Sequence, residues 1–177
     1  MKTTFKNKLQ KIAVSAIFTC TICVMSQLSV LTPSGIPLSL QVLAIATCGY
    51  TLGAKWGTSA VLTYILLGTV GLPVFTGFRG GPQILFETSG GFIFGFLVLS
   101  LFCGLFSKSH LTLKLLGGIL GIALCHLWGV IQLALISGIS FKTAFLVGSL
   151  PFILKDLLCI VAAIFISKYI NQILDKI

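Results

Sequence analysis

Apolar residues fall along this chain in blocks close to the roughly 20 residues that a helix needs to cross a bilayer. The blocks lie at about 9–31, 38–54, 56–75, 90–106, 111–136 and 143–170. The intervals between them carry turn chemistry: "TPSGIP" (32–37), "AKWG" (54–57), a glycine-rich stretch at 76–91, "SKSH" (107–110) and "SGISFK" (137–142). The last block is too long, because a continuous helix over 143–170 would extend about 42 Å against a hydrocarbon core of about 30 Å. Pro151 suits the first turn of a helix and not its interior, so it divides the block into a short helix or re-entrant piece ending near Leu150 and a final span at 151–172. The pattern predicts an all-α integral membrane protein of about six transmembrane helices, a single membrane domain over 1–177 with a short basic N-terminus at 1–8.

Composition agrees. Of the 177 residues 56% are hydrophobic and 8% charged, where a soluble domain carries roughly a quarter charged residues. The net charge of +9, from twelve basic and three acidic residues, would suggest nucleic acid in a soluble protein. Here the lysines stand singly between apolar runs, with no basic stripe and no interleaved aromatics, and so flank spans instead. The six cysteines all lie in apolar segments, and the CxxC of Cys20 and Cys23 has no second pair or His-x-x-x-His to complete a zinc set. They read as packing residues, and no cofactor is expected. The opening "MKTTFKNKLQK" resembles the start of a secretory signal, but no small-x-small site ends the first run, so an uncleaved first helix with no appended soluble domain is expected.

Lysine placement orients the spans. With both termini cytoplasmic, Lys2, Lys6, Lys8, Lys11, Lys55, Lys108, Lys114, Lys168 and Lys176 lie on the cytoplasmic side, nine of the twelve basic residues. Arg79, Lys142 and Lys155 fall on the outer side, together with two of the three acidic residues, Glu87 and Asp156. A charge at mid-membrane costs about 2.5–3.5 kcal/mol on insertion scales. A cavity opening outward gives these groups a reason to gather, and Gln41, Gln83 and Gln132 add neutral hydrogen-bonding groups in the same half. Gly77, Gly80, Gly81, Gly90 and Gly91 with Pro82 oppose a stable helix, and lipid-exposed irregular backbone is essentially forbidden, so 76–91 reads as an outer lid over protein or a wet pocket. Small residues four apart, in the series Gly49, Gly53 and Gly57, in Gly91 with Gly95 and Gly117 with Gly121, and in Ala16 with Cys20, allow close helix approach, either within the chain or to another membrane subunit.

Several segments carry a family resemblance: "IPLSLQ" (36–41), "YILLGTVGLPVFTGFRGG" (64–81), "SGGFIFGF" (89–96) and "PFILKDLL" (151–158). In this order they resemble the motifs of the BioY family, the substrate-binding S components of energy-coupling-factor transporters for biotin. The resemblance implies six helices in a bacterial cytoplasmic membrane, a vitamin site open to the outside, and partners comprising membrane lipid, a transmembrane coupling protein and two ATPase subunits. It also implies docking of the first helix through a small-xxx-small patch, here Ala16 and Cys20. The sequence departs from the family pattern where Cys159 replaces a lysine three residues after the aspartate. It departs again where Glu87, Thr88 and Ser89 replace Gly-Pro-Thr, and where Gln132 replaces a tryptophan.

Biotin has a largely apolar bicycle, a ureido group with two N–H donors and one acceptor, and a carboxylate, so its pocket needs aromatic walls, an acceptor and a cation. Asp156 stands as ureido acceptor, or as a helix-terminal charge paired with Lys155. Arg79 can hold the carboxylate two-pronged, pair with Glu87 or snorkel to lipid phosphate. Tyr64, Phe75, Phe92 and Trp128 are wall or packing aromatics; Gln132 and Gln41 bond ligand or a neighbouring helix. His126, deep in the fifth block, reads as a neutral histidine bonded to a backbone carbonyl, with no second buried titratable group at a spacing that extends a proton relay. No Ser/His/Asp set, carboxylate pair, metal spacing or phosphate-binding Gly-x-x-x-x-Gly-Lys is present, so the chain is expected to be no enzyme and to draw energy from a partner. An S component for a different small vitamin and a ligand-free structural subunit are the alternatives. The resemblance implies closure of the 76–91 lid and the "TPSGIP" loop over substrate, and reorientation by a partner's ATP cycle to release it inward.

Overall fold

The computed structural model describes residues 8–31 and 37–176. Lys2, Lys6 and positions 32–36 of the "TPSGIP" segment lie outside the described residues. Among the described residues six α-helices follow one another: α1 (Lys8–Gln27), α2 (Gln41–Thr69), α3 (Gly90–Leu105), α4 (Leu111–Ser137), α5 (Phe141–Gly148) and α6 (Leu150–Leu174). Helices α1, α4 and α6 are each long and apolar enough to cross a membrane.

The first apolar block does not stay helical to its end. Ser29–Leu31 (β1) pairs antiparallel with Pro37–Ser39 (β2), placing Ser29 opposite Ser39, so a small hairpin joins α1 to α2. The second and third blocks meet in a sharper turn than a four-residue break. Within α2, Gly53 alone leaves the helical region, at φ 77° and ψ 175°, a conformation open to glycine because it has no Cβ. The two arms of α2 then run back along each other. The Cys48 thiol reaches the Gly57 carbonyl at 3.7 Å, and Gln41 Nε2 donates to the Tyr64 hydroxyl at 2.7 Å.

Close approach of the remaining helices follows from the glycines. A Cβ on Gly49 would stand 2.6 Å from the Ser100 carbonyl, one on Gly95 2.7 Å from Cys125 Cα, and one on Gly104 2.3 Å from the Ala54 nitrogen. Gly49 and Gly57, eight residues apart, and the four-residue pairs Gly91 and Gly95 and Gly117 and Gly121 therefore serve packing within this chain. Tyr50 is fully enclosed and donates its hydroxyl proton to the Lys114 carbonyl at 2.7 Å, tying α2 to α4. Ala16 and Cys20 are exposed on α1, beside Ile17 and Val24.

At the other end of the bundle Gly138, in the left-handed region, stops α4, and the Ser140 hydroxyl caps α5 by accepting from the Thr143 amide at 3.1 Å. Pro151 stands in the first turn of α6, where its missing N–H leaves no bond unmade. These connections bring the C-terminal ends of α1 and α4 together with the N-terminal ends of α2, α3 and α6. Lys55, Lys108, Lys114 and Lys168 lie toward the opposite end.

Candidate functional site

Where those helix ends converge they enclose a cavity of about 450 Å³, within the range of small-molecule sites. Its walls are apolar: Tyr64 and Phe75 meet edge to face at 5.5 Å between ring centres, with Ile84, Phe92, Ile93, Phe96 and Phe152 around them. Segment 70–89, which contains a 3-10 turn at Pro82–Phe86, supplies Phe75, Thr76, Gly77, Arg79, Ile84 and Ser89 to the lining. Phe75 and Arg79 exchange backbone hydrogen bonds of 2.9 and 3.1 Å around a tight turn through Gly77 and Phe78.

Polar groups concentrate on one side. Asp156 is 3% exposed, and such a carboxylate requires partners. Its Oδ2 accepts from His126 Nε2 at 3.0 Å, and its Oδ1 lies 2.6 Å from Lys155 Nζ. That second contact is ionic and off the angle of a hydrogen bond, so Oδ1 keeps acceptor capacity. Lys155 also donates to the Ser39 carbonyl at 2.8 Å, joining α6 to the β-hairpin. The other imidazole nitrogen, Nδ1, lies 2.7 Å from the hydroxyl of Ser149, the residue at the α5–α6 junction. A carboxylate only accepts, so Nε2 is the donor to Asp156, and in the neutral ring Nδ1 accepts a hydrogen bond from the Ser149 hydroxyl.

The expectation for His126 is thereby corrected: its partners are side chains, not a backbone carbonyl, and Asp156 is a second buried titratable group in direct contact. The two residues are 30 positions apart on two different helices, and a spacing rule reads one helix at a time. Lys155, left uncertain by the sequence, is the ion-pair partner of Asp156.

Asp156, Arg79, Tyr64, Phe75, Phe92 and Gln41 all line the cavity. Gln41 holds its place through Tyr64 and through its Oε1, which accepts from the Ser39 hydroxyl at 3.0 Å. Gln132 and Glu87 are not in the lining. The Gln132 amide instead donates to the Leu85 and Glu87 carbonyls, both at 2.8 Å, and pins segment 70–89 to α4, while the Glu87 carboxylate pairs with Arg79. Trp128 is 56% exposed on the outer face of α4 and walls nothing. Ser89, a departure from the family pattern, also lines the cavity, as do Ser39, Thr76, Phe96 and Phe152, which no sequence signal separates from packing and loop residues. Among the described residues no cluster of His, Cys, Asp or Glu could hold a metal ion.

A bundle of apolar helices around an aromatic cavity with one buried, charge-compensated polar wall is a membrane-type small-molecule-binding subunit. The BioY family model matches residues 1–176, and the chain belongs to the BioY family. The biotin transporter BioY of Thermotoga maritima is 35% identical over 93% of this chain and 98% of its own length. A probable biotin transporter BioY of Pyrococcus horikoshii is 33% identical over 91% of this chain and 96% of its own. A crystal structure described as the S-component for biotin from an ECF-type ABC transporter superposes with a TM-score of 0.87 at 27% identity, covering 96% of this chain and 94% of the other. Membership of this family makes the chain a transport component and not an enzyme.

Proposed function

We propose that the chain is the biotin-binding S component of an energy-coupling-factor transporter, capturing the vitamin from outside and delivering it inward with energy from a partner ATPase module. The observation that carries this reading is the buried Asp156, held between Lys155 and His126 in the wall of an otherwise aromatic cavity, in a chain of the BioY family. In this reading a ureido N–H donates to Asp156 Oδ1, where acceptor capacity remains, and the bicycle lies against Tyr64, Phe75 and Phe92. Arg79, 51% exposed at the cavity edge, exchanges its Glu87 partner for the biotin carboxylate, which its planar fork can hold two-pronged.

The six spans of this reading are α1, the two arms of α2, α3, α4 and α6, with both termini cytoplasmic in a bacterial inner membrane. The cavity mouth then faces outward and Lys55, Lys108, Lys114 and Lys168 face the cytoplasm, as the inside-positive bias requires. The first arm of α2 over 41–52 is about 18 Å long at about 1.5 Å per residue, shorter than the hydrocarbon core of about 30 Å. Its N-terminal end therefore sits below the outer surface, leaving depth for a ligand. The exposed Ala16 and Cys20 on α1 supply a flat patch for a transmembrane coupling protein, to which two ATPase subunits attach.

Titration of the purified protein with biotin, competed by a panel of other vitamins, tests the reading. Saturable biotin binding that the others do not displace is expected. Displacement by a different vitamin would reassign the substrate, and flat binding across the panel would overturn the reading.

A further inference from the structure

The last two residues of α1 are not themselves part of the cavity lining, yet their side chains bond the backbone of the segment that supplies it. Gln27 Nε2 donates to the Val74 carbonyl at 3.2 Å and the Phe75 carbonyl at 3.1 Å, while its Oε1 accepts from the Phe78 amide at 2.9 Å. Ser26, fully buried, shares its one hydroxyl hydrogen between the Cys23 and Val74 carbonyls, both at 2.6 Å, and its oxygen lies 2.8 Å from Gln27 Nε2, whose two hydrogens are shared among these acceptors. A glutamine amide offers two donor hydrogens and one acceptor oxygen. Here both ends of it are turned on one five-residue stretch of backbone.

That stretch needs holding. Gly77 and Phe78 are consecutive left-handed residues, at φ 75° and φ 55°, and the conformation is unfavourable for a side-chain-bearing residue such as Phe78. The Phe78 ring is 73% exposed, so burial of that side chain does not hold the turn in place. What the turn presents to the cavity is Phe75, against Tyr64, together with Thr76, Gly77 and Arg79.

We infer that Gln27 is a positioning residue for the binding cavity: its amide clamps the backbone of the 74–78 turn to the end of α1, in addition to the packing of the Phe75 ring on Tyr64 and Gly68 of α2. This inference rests on the proposed binding function for its ligand readout and on geometry alone for the clamp. Gln132 secures the other end of the lid to α4, so the cavity cover is hinged between two helices. A displacement of α1 pulls on the backbone at Phe75 and, through the Phe75–Arg79 pairing, on Arg79, while Asp156 stays on α6.

The full chain in lipid nanodiscs provides the test. Amide hydrogen exchange over 72–80 and biotin association and dissociation rates are compared for wild type, Gln27→Ala and Gln27→Glu, the last retaining the acceptor for the Phe78 amide and losing both donors. In Gln27→Ala, exchange over 74–79 is expected to rise about tenfold or more with α3 and α4 unchanged. Biotin dissociation is expected to quicken about tenfold with association within about twofold, and Gln27→Glu is expected to fall between. A residue of merely structural importance would lower thermal stability without singling out the turn or splitting the two rates. Wild-type exchange and dissociation in both folded variants would overturn the inference. If Gln27→Ala cannot be purified, the near-isosteric Gln27→Glu carries the comparison. If wild type fails to bind biotin, the binding function falls and the exchange comparison still decides the clamp.

Discussion

His126 Nε2 on α4 lies 3.0 Å from Asp156 Oδ2 on α6, and the opposite nitrogen of the same ring lies 2.7 Å from Ser149 Oγ at the start of α6. One imidazole thus joins the junction of α5 and α6 to a carboxylate about two turns further along. It fixes that carboxylate's rotamer and leaves its second oxygen to Lys155 and the cavity.

Replacing His126 by Phe preserves much of the ring contact with Phe92 and removes both polar contacts. Ser149, fully buried, then lacks its hydroxyl partner, and a buried polar group left unsatisfied costs about 1–3 kcal/mol. A loss of that size in unfolding free energy is expected, with biotin binding weakened about tenfold. Denaturation and calorimetric titration measure the two, and wild-type values for both would show that the imidazole bridge contributes nothing.

Asp156→Asn keeps the shape of the side chain and removes its charge. Lys155 loses its counterion while keeping the Ser39 carbonyl, and a ureido N–H loses a charged acceptor, worth about 1.5–3 kcal/mol. Biotin affinity is expected to fall by roughly one to two orders of magnitude. Unchanged affinity would move the ureido site elsewhere in the cavity.

The ion pair between Arg79 and Glu87 is a third to a half exposed, and such pairs contribute about 0–1 kcal/mol. A double-mutant cycle with Arg79→Ala and Glu87→Ala should therefore show little coupling in stability. Biotin affinity should respond differently, dropping in Arg79→Ala and holding or rising in Glu87→Ala, which frees the guanidinium. Equal losses in both single variants would make the pair a lid fastener and not a carboxylate site.

Gly104→Ala tests the packing of α3 on the α2 turn. The added methyl would meet the Ala54 backbone at 2.3 and 2.5 Å, and backbone cannot rotate away. Destabilisation of about 1–3 kcal/mol or more is expected, read as a lower unfolding midpoint in detergent. Wild-type stability would mean that the two helices separate freely.

Tryptophan at Ala16 or Cys20 fills the exposed face of α1 without touching the cavity. Biotin binding by the isolated subunit should stay within about twofold, while uptake in cells that carry the whole transporter should collapse, because small residues are what allow close helix contact. Normal uptake would place the docking patch on another face.

Much of this molecule is dictated by hydropathy alone. A chain with so few charges must bury or immerse its apolar blocks, and block length with Pro151 and the glycine intervals locates α1, α3, α4 and α6 to within a few residues. The gathering of Arg79, Glu87, Lys155 and Asp156 outside the inside-positive bias marked one end of the bundle, because charges in an apolar chain have few places to go. Asp156, Arg79, Tyr64, Phe75, Phe92 and Gln41, all expected from the sequence, line one cavity, while Gln132, Glu87 and Trp128 do not.

What only the tertiary structure decided are the relationships between helices. The reversal at Gly53 folds two apolar blocks against each other, and the His126–Asp156 bond spans two helices whose relative rotation no single-helix periodicity encodes. Gln132 and Gln27 look alike in sequence to Gln41, which lines the cavity, since each is a lone amide in or beside an apolar block. Their partners turn out to be lid carbonyls. A side chain's chemistry is written in its residue type, but which groups it meets depends on how the helices pack, and that is set by close contacts such as those at Gly49, Gly95 and Gly104.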